Sequence, residues 1–182
     1  MKLLIVAALA LMLTPVASAR LRMGGNVTAQ NWAWAVDASH NVPLPDAGFV
    51  IRSGSGSFDG HTMTLPKVGQ GRWTEISVHG AFLHELGHAY DFSNMTATRR
   101  VAFRRAMGVP SKCKWWTPCL QTSNMWKGWD GVPPGEIFAD EYAACALNLT
   151  QREYIAAGYA SYGWLPSEGS DEIFCGLIRV KT

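Results

Sequence analysis

The chain has little of what would place it outside the ordinary globular proteins. Beyond residue 13 it has no apolar run of the roughly 20 residues that a bilayer-spanning helix takes, and it shows no internal repeat and no long low-complexity tract. Charge is scarce, at 16% of residues, and nearly balanced, with 16 Lys and Arg against 14 Asp and Glu. That balance supplies no basic face for nucleic acid or an anionic membrane, so no nucleic-acid partner is expected. Cysteine is sparse too, at four residues. None of the four forms the C-x-x-C pair of a Cys-rich zinc site, and the even number points to two disulfides.

What is present begins with a leader. Lys2 precedes the apolar run Leu3 to Leu13, followed by Pro15 and the small residues Ala17-Ser18-Ala19. A charged start, a short apolar middle and a small-residue end read as a secretory signal peptide over residues 1–19. The expected mature chain, residues 20–182, carries 15 basic and 14 acidic groups once Lys2 is removed. Its length supports one core and one domain. The expectation is a secreted, extracellular or otherwise exported monomer with no membrane anchor after signal removal, in a compartment where disulfides persist.

Along the chain, Arg20 to Ala47 shows no clear period, with Trp32 and Trp34 read as core or cleft-edge aromatics. The extended patches Phe49-Val50-Ile51 and Thr62-Met63-Thr64-Leu65 are separated by Ser-Gly-Ser-Gly and Asp-Gly turn signals, which predicts a hairpin. From Glu75 to Phe92, Ile76, Phe82, Leu83 and Leu86 recur at helical spacing. Thr74 is the expected N-cap, and Glu75 stands in the first turn, where the helix dipole favours an acid. A second helix, Thr96 to Met107, carries four arginines read as a solvated face and ends at Gly108 and Pro110. Residues 108–135 hold Trp115, Trp116, Trp126 and Trp129 without a period, and a connection that long is usually functional or cross-linked. The tryptophans are read equally as core plugs or as pocket lining. Pro133-Pro134 lead into a third helix reaching about Leu149, and the tail reads as a short helix plus a closing segment, Ile173 to Val180.

The chemistry concentrates in His84-Glu85-Leu86-Gly87-His88. Histidines four apart project from one face of a helix and can grip one zinc ion, with the intervening glutamate turned towards a water. Such a carboxylate is suited to take a proton as that water attacks a polarised carbonyl. Two histidines need a third protein ligand to leave one open position. The extended motif H-E-x-x-H-x-x-G-x-x-H fails here, because Asp91 and Asn94 stand at its glycine and last histidine positions. His79 is turned roughly 140° from His84 on a helix, and His40 and His61 have no supporting spacing.

Forty-eight residues beyond His88 comes Glu136-Ile137-Phe138-Ala139-Asp140. Here the chain resembles the gluzincin metallopeptidases, and most of all the compact peptidases related to anthrax lethal factor, over about 25 residues around positions 79–92 and 134–145. The resemblance implies that His84, His88 and Glu136 bind Zn2+, that Glu85 is the general base, and that Asp140 orients a ligand histidine. Asp91, on the stripe of His84 and His88, is a second candidate for that orienting role or a helix-end acid. On a helix Asp140 lies about 40° from Glu136 and Glu141 about 140° away, which removes Glu141 from the ligand set. The implied fold is α+β: a zincin-like single domain, with a small antiparallel or mixed sheet before the active-site helix and the third ligand on a second helix. Resemblance also implies an edge strand, Gly60 to Pro66, that pairs with extended substrate. The family's oxyanion-stabilising tyrosine falls at Trp129 in this chain, and Tyr90, Tyr142, Tyr154, Tyr159 and Tyr162 are substitutes without positional support.

The leading expectation is therefore a secreted zinc-dependent endopeptidase acting on a peptide or protein substrate. The same site would also serve a zinc amidase or hydrolase acting on cell-wall or small-molecule substrates. A catalytically silent zinc-binding protein is the third reading, against which the intact Glu85 counts. For the cysteines the expected pairs are Cys113 with Cys119 and Cys145 with Cys175, since Cys145 sits about 180° from Glu136 on its helix and is free to bond the tail.

Overall fold

The computed structural model describes residues 21–121, 131–159, 162–163, 165 and 169–179. The expected signal peptide, Trp126 and Trp129 lie outside the described residues. The element order is β1 (Arg22–Gly25), α1 (Ala29–Ser39), β2 (Gly48–Ser53), β3 (Ser57–Phe58), β4 (Thr62–Leu65), α2 (Glu75–Asn94), α3 (Ala97–Ala106), α4 (Pro134–Ala146), α5 (Gln151–Ala156) and α6 (Ser170–Arg179). This is an α+β architecture with one mixed sheet in the order β1-β2-β4-β3. No helix among the described residues is long and apolar enough to cross a membrane.

The sheet corrects the hairpin expectation. β2 and β4 pair in parallel, Val50 opposite Thr62 and Ser53 opposite Leu65. Between them the chain forms β3, which takes the antiparallel place beside β4, with Phe58 opposite Met63. The turn signals were real, but they bound a two-residue strand rather than a single reversal. β4 is consequently an interior strand, and β3 replaces Gly60 to Pro66 as the exposed edge. Alternation places Phe49, Ile51, Met63 and Leu65 in the core.

α1 falls where the sequence showed no period. Thr28 caps it reciprocally: its hydroxyl accepts from Asn31 N while Asn31 Oδ1 accepts from Thr28 N, a device that stabilises a helix by roughly 1 kcal/mol. Its inner face carries Trp34, Ala35 and Ala38, and Trp34 stacks on His79 of α2 at 4.5 Å. α2 touches β3, β4, α1 and α4, and its contact with α4 is the most extensive in the fold. Gly87 makes that crossing close, because a β-carbon there would stand 2.9 Å from Ala139 Cα. The helices at the metal motif are thus set backbone to backbone, which fixes how far apart their side chains start.

α3 departs from the expected solvated arginine face. Arg99 donates to Tyr90 Oη and the Leu177 carbonyl, Arg100 Nε donates to Asp91 at 2.8 Å, and Arg104 donates to the Cys113 carbonyl. These cations tie α3 to α2, α6 and the disulfide loop, while Arg105 stays exposed. Both expected disulfides are present, Cys113–Cys119 and Cys145–Cys175, the second joining α4 to α6. The closing segment expected as Ile173 to Val180 is the helix α6, which starts three residues earlier.

Candidate metal centre

α2 starts at Thr74, whose hydroxyl accepts from Ser77 N in a reciprocal cap, and its second half is buried on nearly every face. His84, Glu85 and His88 are all under 9% exposed and line one cleft. α4 starts with Pro133 as N-cap and Pro134 at its first position, so Glu136 stands in the first turn. There its carboxylate lies at the positive end of the helix dipole.

Across the α2–α4 contact the side chains converge. Glu136 Oε2 is 3.2 Å from His84 Nε2 and 3.2 Å from His88 Nε2. The three donor atoms all lie within 4.8 Å of one another. Four ligands placed tetrahedrally at about 2.0–2.1 Å from an ion are roughly 3.3–3.5 Å apart, so the spans to Glu136 are those of a ligand set. Two nitrogens and one carboxylate oxygen are a donor set for a divalent transition metal, and His84, His88 and Glu136 together could hold such an ion.

Asp140, one turn after Glu136, accepts at Oδ1 from His84 Nδ1 at 2.8 Å and at Oδ2 from the Tyr162 amide at 2.8 Å. Since a carboxylate only accepts, His84 Nδ1 carries a proton, which leaves Nε2, the nitrogen towards Glu136, as the atom that would bind a metal. Burial works against charge on His84, but the hydrogen bonds to Asp140 and Glu136 hold its pKa well above the usual imidazole range. Burial likewise opposes charge on Glu136, and its two imidazole partners overcome it, leaving the carboxyl well below the usual range. Glu85 is different: burial pushes its pKa up, and its Oε2 has no hydrogen-bond partner. A buried carboxylate oxygen without a hydrogen-bond partner thus lines the same cleft as the three converging groups.

The remaining candidates separate. Asp91 hydrogen-bonds neither His84 nor His88; it accepts from Arg100 Nε and from Trp115 Nε1 at 2.9 Å, so it anchors α3 and the disulfide loop to α2. The buried Nδ1 of His88 has no hydrogen-bond partner. Glu141 is buried and outside the converging group, and His79 stacks on Trp34 and meets Tyr159 edge-on. Of the tryptophans, Trp115 plugs the interior beside Phe103 and Phe138, while Trp116 lines the cleft 5.7 Å from the His88 ring.

Sequence reasoning left the tyrosine role open, and the structure separates the five. Tyr90, Tyr142 and Tyr154 donate to the carbonyls of Ile178, Pro43 and Gly80, and Tyr159 stacks on Tyr154. Tyr162 lines the cleft, its ring 5.8 Å from His84, with burial and its contact with Glu136 raising its hydroxyl pKa far above the usual phenol value. No spacing in the sequence marks it, because a loop brings it there. The cleft, about 430 Å³ in volume, is completed by Gly56, Ser57, Phe58, Asp59, Gly60 and Phe92. No protein family, curated protein or solved structure matches this chain, and the convergence of His84, His88 and Glu136 is what marks the region as a candidate metal centre.

Proposed function

We propose that the protein is an exported zinc-dependent endopeptidase. The observation that carries this reading is the convergence of His84 Nε2 and His88 Nε2 on one Glu136 oxygen beside the unpartnered Glu85 Oε2. Two imidazoles and a carboxylate are a frequent ligand set of catalytic zinc. When bound, zinc supplies a Lewis acid that polarises a carbonyl and lowers the pKa of a water towards 7. Glu85 Oε2 takes the proton from the attacking water and passes it to the leaving amine. Asp140 holds the His84 ring in the ligating tautomer. The Tyr162 hydroxyl, kept neutral by its raised pKa, donates a hydrogen bond to the oxygen that gains charge.

Peptide is favoured as the substrate because β3, the sheet edge, supplies Ser57 and Phe58 to the cleft, and an edge strand pairs with an extended backbone. No Lys or Arg stands among the described lining residues to capture a terminal carboxylate, which favours cleavage within a chain. The two disulfides and the leader sequence fit an oxidising, exported setting. Hydrolysis of a quenched-fluorescence peptide library, with and without a zinc chelator, tests the reading. Chelation should abolish cleavage, zinc should restore it, and Glu85→Gln should lower turnover at least about a hundredfold while keeping its metal. Near-normal turnover in Glu85→Gln would refute the assignment, and cleavage of cell-wall amides alone would favour the amidase.

A further inference from the structure

Single exposed apolar side chains are common, but several gathered in one cleft mark a surface that meets something. Phe92, 63% exposed, and Trp116, 52% exposed, both line the cleft. Phe92 is one turn beyond His88 on the stripe of α2 that carries His84, about 6 Å further along the axis. Trp116 lies against the His88 ring from the other side. Tyr162, near His84, closes the opposite end. The cleft therefore has a polar half towards His84 and an aromatic half beyond His88.

Both aromatics are seated on backbone that lacks a side chain. A β-carbon on Gly135 would stand 2.5 Å from the Trp116 ring, so that ring rests on the first turn of α4, beside Glu136. A β-carbon on Gly60 would stand 3.3 Å from the Phe92 ring. Phe92 also meets Phe58 edge-on at 6.3 Å, and the loop of Trp116 is held by the Gly135 amide donating to the Trp115 carbonyl. The rings are fixed while their outer faces stay open, which is the arrangement of a preformed apolar slot.

The polar groups at this end are engaged locally. Ser57 Oγ bonds Thr64 Oγ1, and Asp59 Oδ1 accepts from the amides of His61 and Thr62. Those two backbone hydrogen bonds, His61 first, hold Asp59 below the usual carboxylate range, so it is ionised. The slot therefore offers apolar area and negative charge, which disfavours an acidic side chain. We infer that Phe58, Phe92 and Trp116 form a specificity subsite for a large apolar side chain, aromatic above all, next to the scissile bond of the substrate. This deepens and rests on the peptidase reading, but binding reports on it independently of hydrolysis.

The test uses the zinc-loaded full chain carrying Glu85→Gln, so that peptides bind without turnover. Matched peptides with Phe, Ala or Glu at each position flanking the bond are titrated by calorimetry, alongside a soluble peptidoglycan fragment. The Phe peptide should bind at least about tenfold more tightly than the Ala peptide, and the Glu peptide more weakly than either. Phe92→Ala and Trp116→Ala should each remove most of that preference, and Trp116→Phe should restore part of it. Because Phe92 is largely exposed, its truncation leaves the fold intact and keeps the test valid if Trp116→Ala misfolds. Equal binding of the Phe, Ala and Glu peptides, a preference unchanged by Phe92→Ala, or selective binding of the peptidoglycan fragment overturns the subsite. A retained aromatic preference without cleavage of any peptide by the parent would uphold the subsite and sink the peptidase reading.

Discussion

Replacing Asp140 by asparagine isolates what the second carboxylate does for the metal ligands. Asp140 is fully buried and accepts from His84 Nδ1 on one oxygen and from the Tyr162 amide on the other. Asparagine keeps the shape but offers one accepting oxygen and one donating amide. With its oxygen on His84, its NH2 group opposes the Tyr162 N–H, leaving a buried donor unmatched at a cost of about 1–3 kcal/mol. With its oxygen on Tyr162, its NH2 group faces His84 Nδ1 and forces the ring proton onto Nε2, the atom that must bind metal. Either arrangement penalises the ligating state. Loss of such a partner lowers metal affinity by about 10- to 100-fold, or roughly 1.4–2.8 kcal/mol. Competition with a chelating dye should show zinc affinity falling in that range for Asp140→Asn. Glu136→Ala should lose most of the affinity, and unfolding of the metal-free proteins separates affinity from stability. Affinity of Asp140→Asn within about twofold of the parent, or weaker than that of Glu136→Ala, would refute the assignment of the two acids.

Three further outcomes are expected. Gly87→Ala sets a β-carbon 2.9 Å from Ala139 Cα and 3.1 Å from Tyr142 Cβ. It should cost about 1–3 kcal/mol, read as a Tm lowered by roughly 2–4 °C per kcal/mol, and an unchanged Tm would show that the α2–α4 contact is looser than described. Glu141 is buried with neither carboxylate oxygen bonded, and burial, reinforced by Asp171 and Asp140, pushes its pKa well above 4.5. Its folded pKa exceeds its unfolded one, so its contribution to stability is full below pH 4.5 and is lost as pH rises through the folded value. Urea unfolding should show Glu141→Gln gaining on the parent as pH rises, and parallel pH profiles would contradict this. Replacing Cys145 and Cys175 by alanine opens a bridge spanning 30 residues and should cost about 3–4 kcal/mol, measured by denaturant unfolding against the oxidised parent.

What was legible in the sequence follows the range of the signals. The motif helix was readable from its period and from Thr74, and it runs two residues beyond the expected Phe92. Glu136 and Asp140 were readable from a short phrase whose spacing puts them on one helix face, and they meet His84 and His88 as that phrase implied. α1 was missed because its inward positions are mostly alanine, which gives weak apolar contrast, and its cap partner is Asn31 rather than an acid. The parallel pairing of β2 and β4 was missed because the eight residues between them are fewer than parallel connections generally need. The arginines of α3 look solvated in sequence, since nothing local reveals that Tyr90, Asp91 and the Cys113 carbonyl await them. Tyr162 and Trp116 were indistinguishable from their neighbours because loops, which have no period, deliver them.

Those two loops have a property in common. Trp116 lies inside the ring closed by Cys113–Cys119, and Tyr162 lies inside the ring closed by Cys145–Cys175. His84, His88 and Glu136 lie outside both. The two cross-links therefore bracket Trp116 and Tyr162 in the cleft wall, and neither encloses a residue of the candidate ligand set. Reduction and metal removal would therefore perturb different parts of the site, with α4 the element common to both, since it carries Glu136 and Cys145.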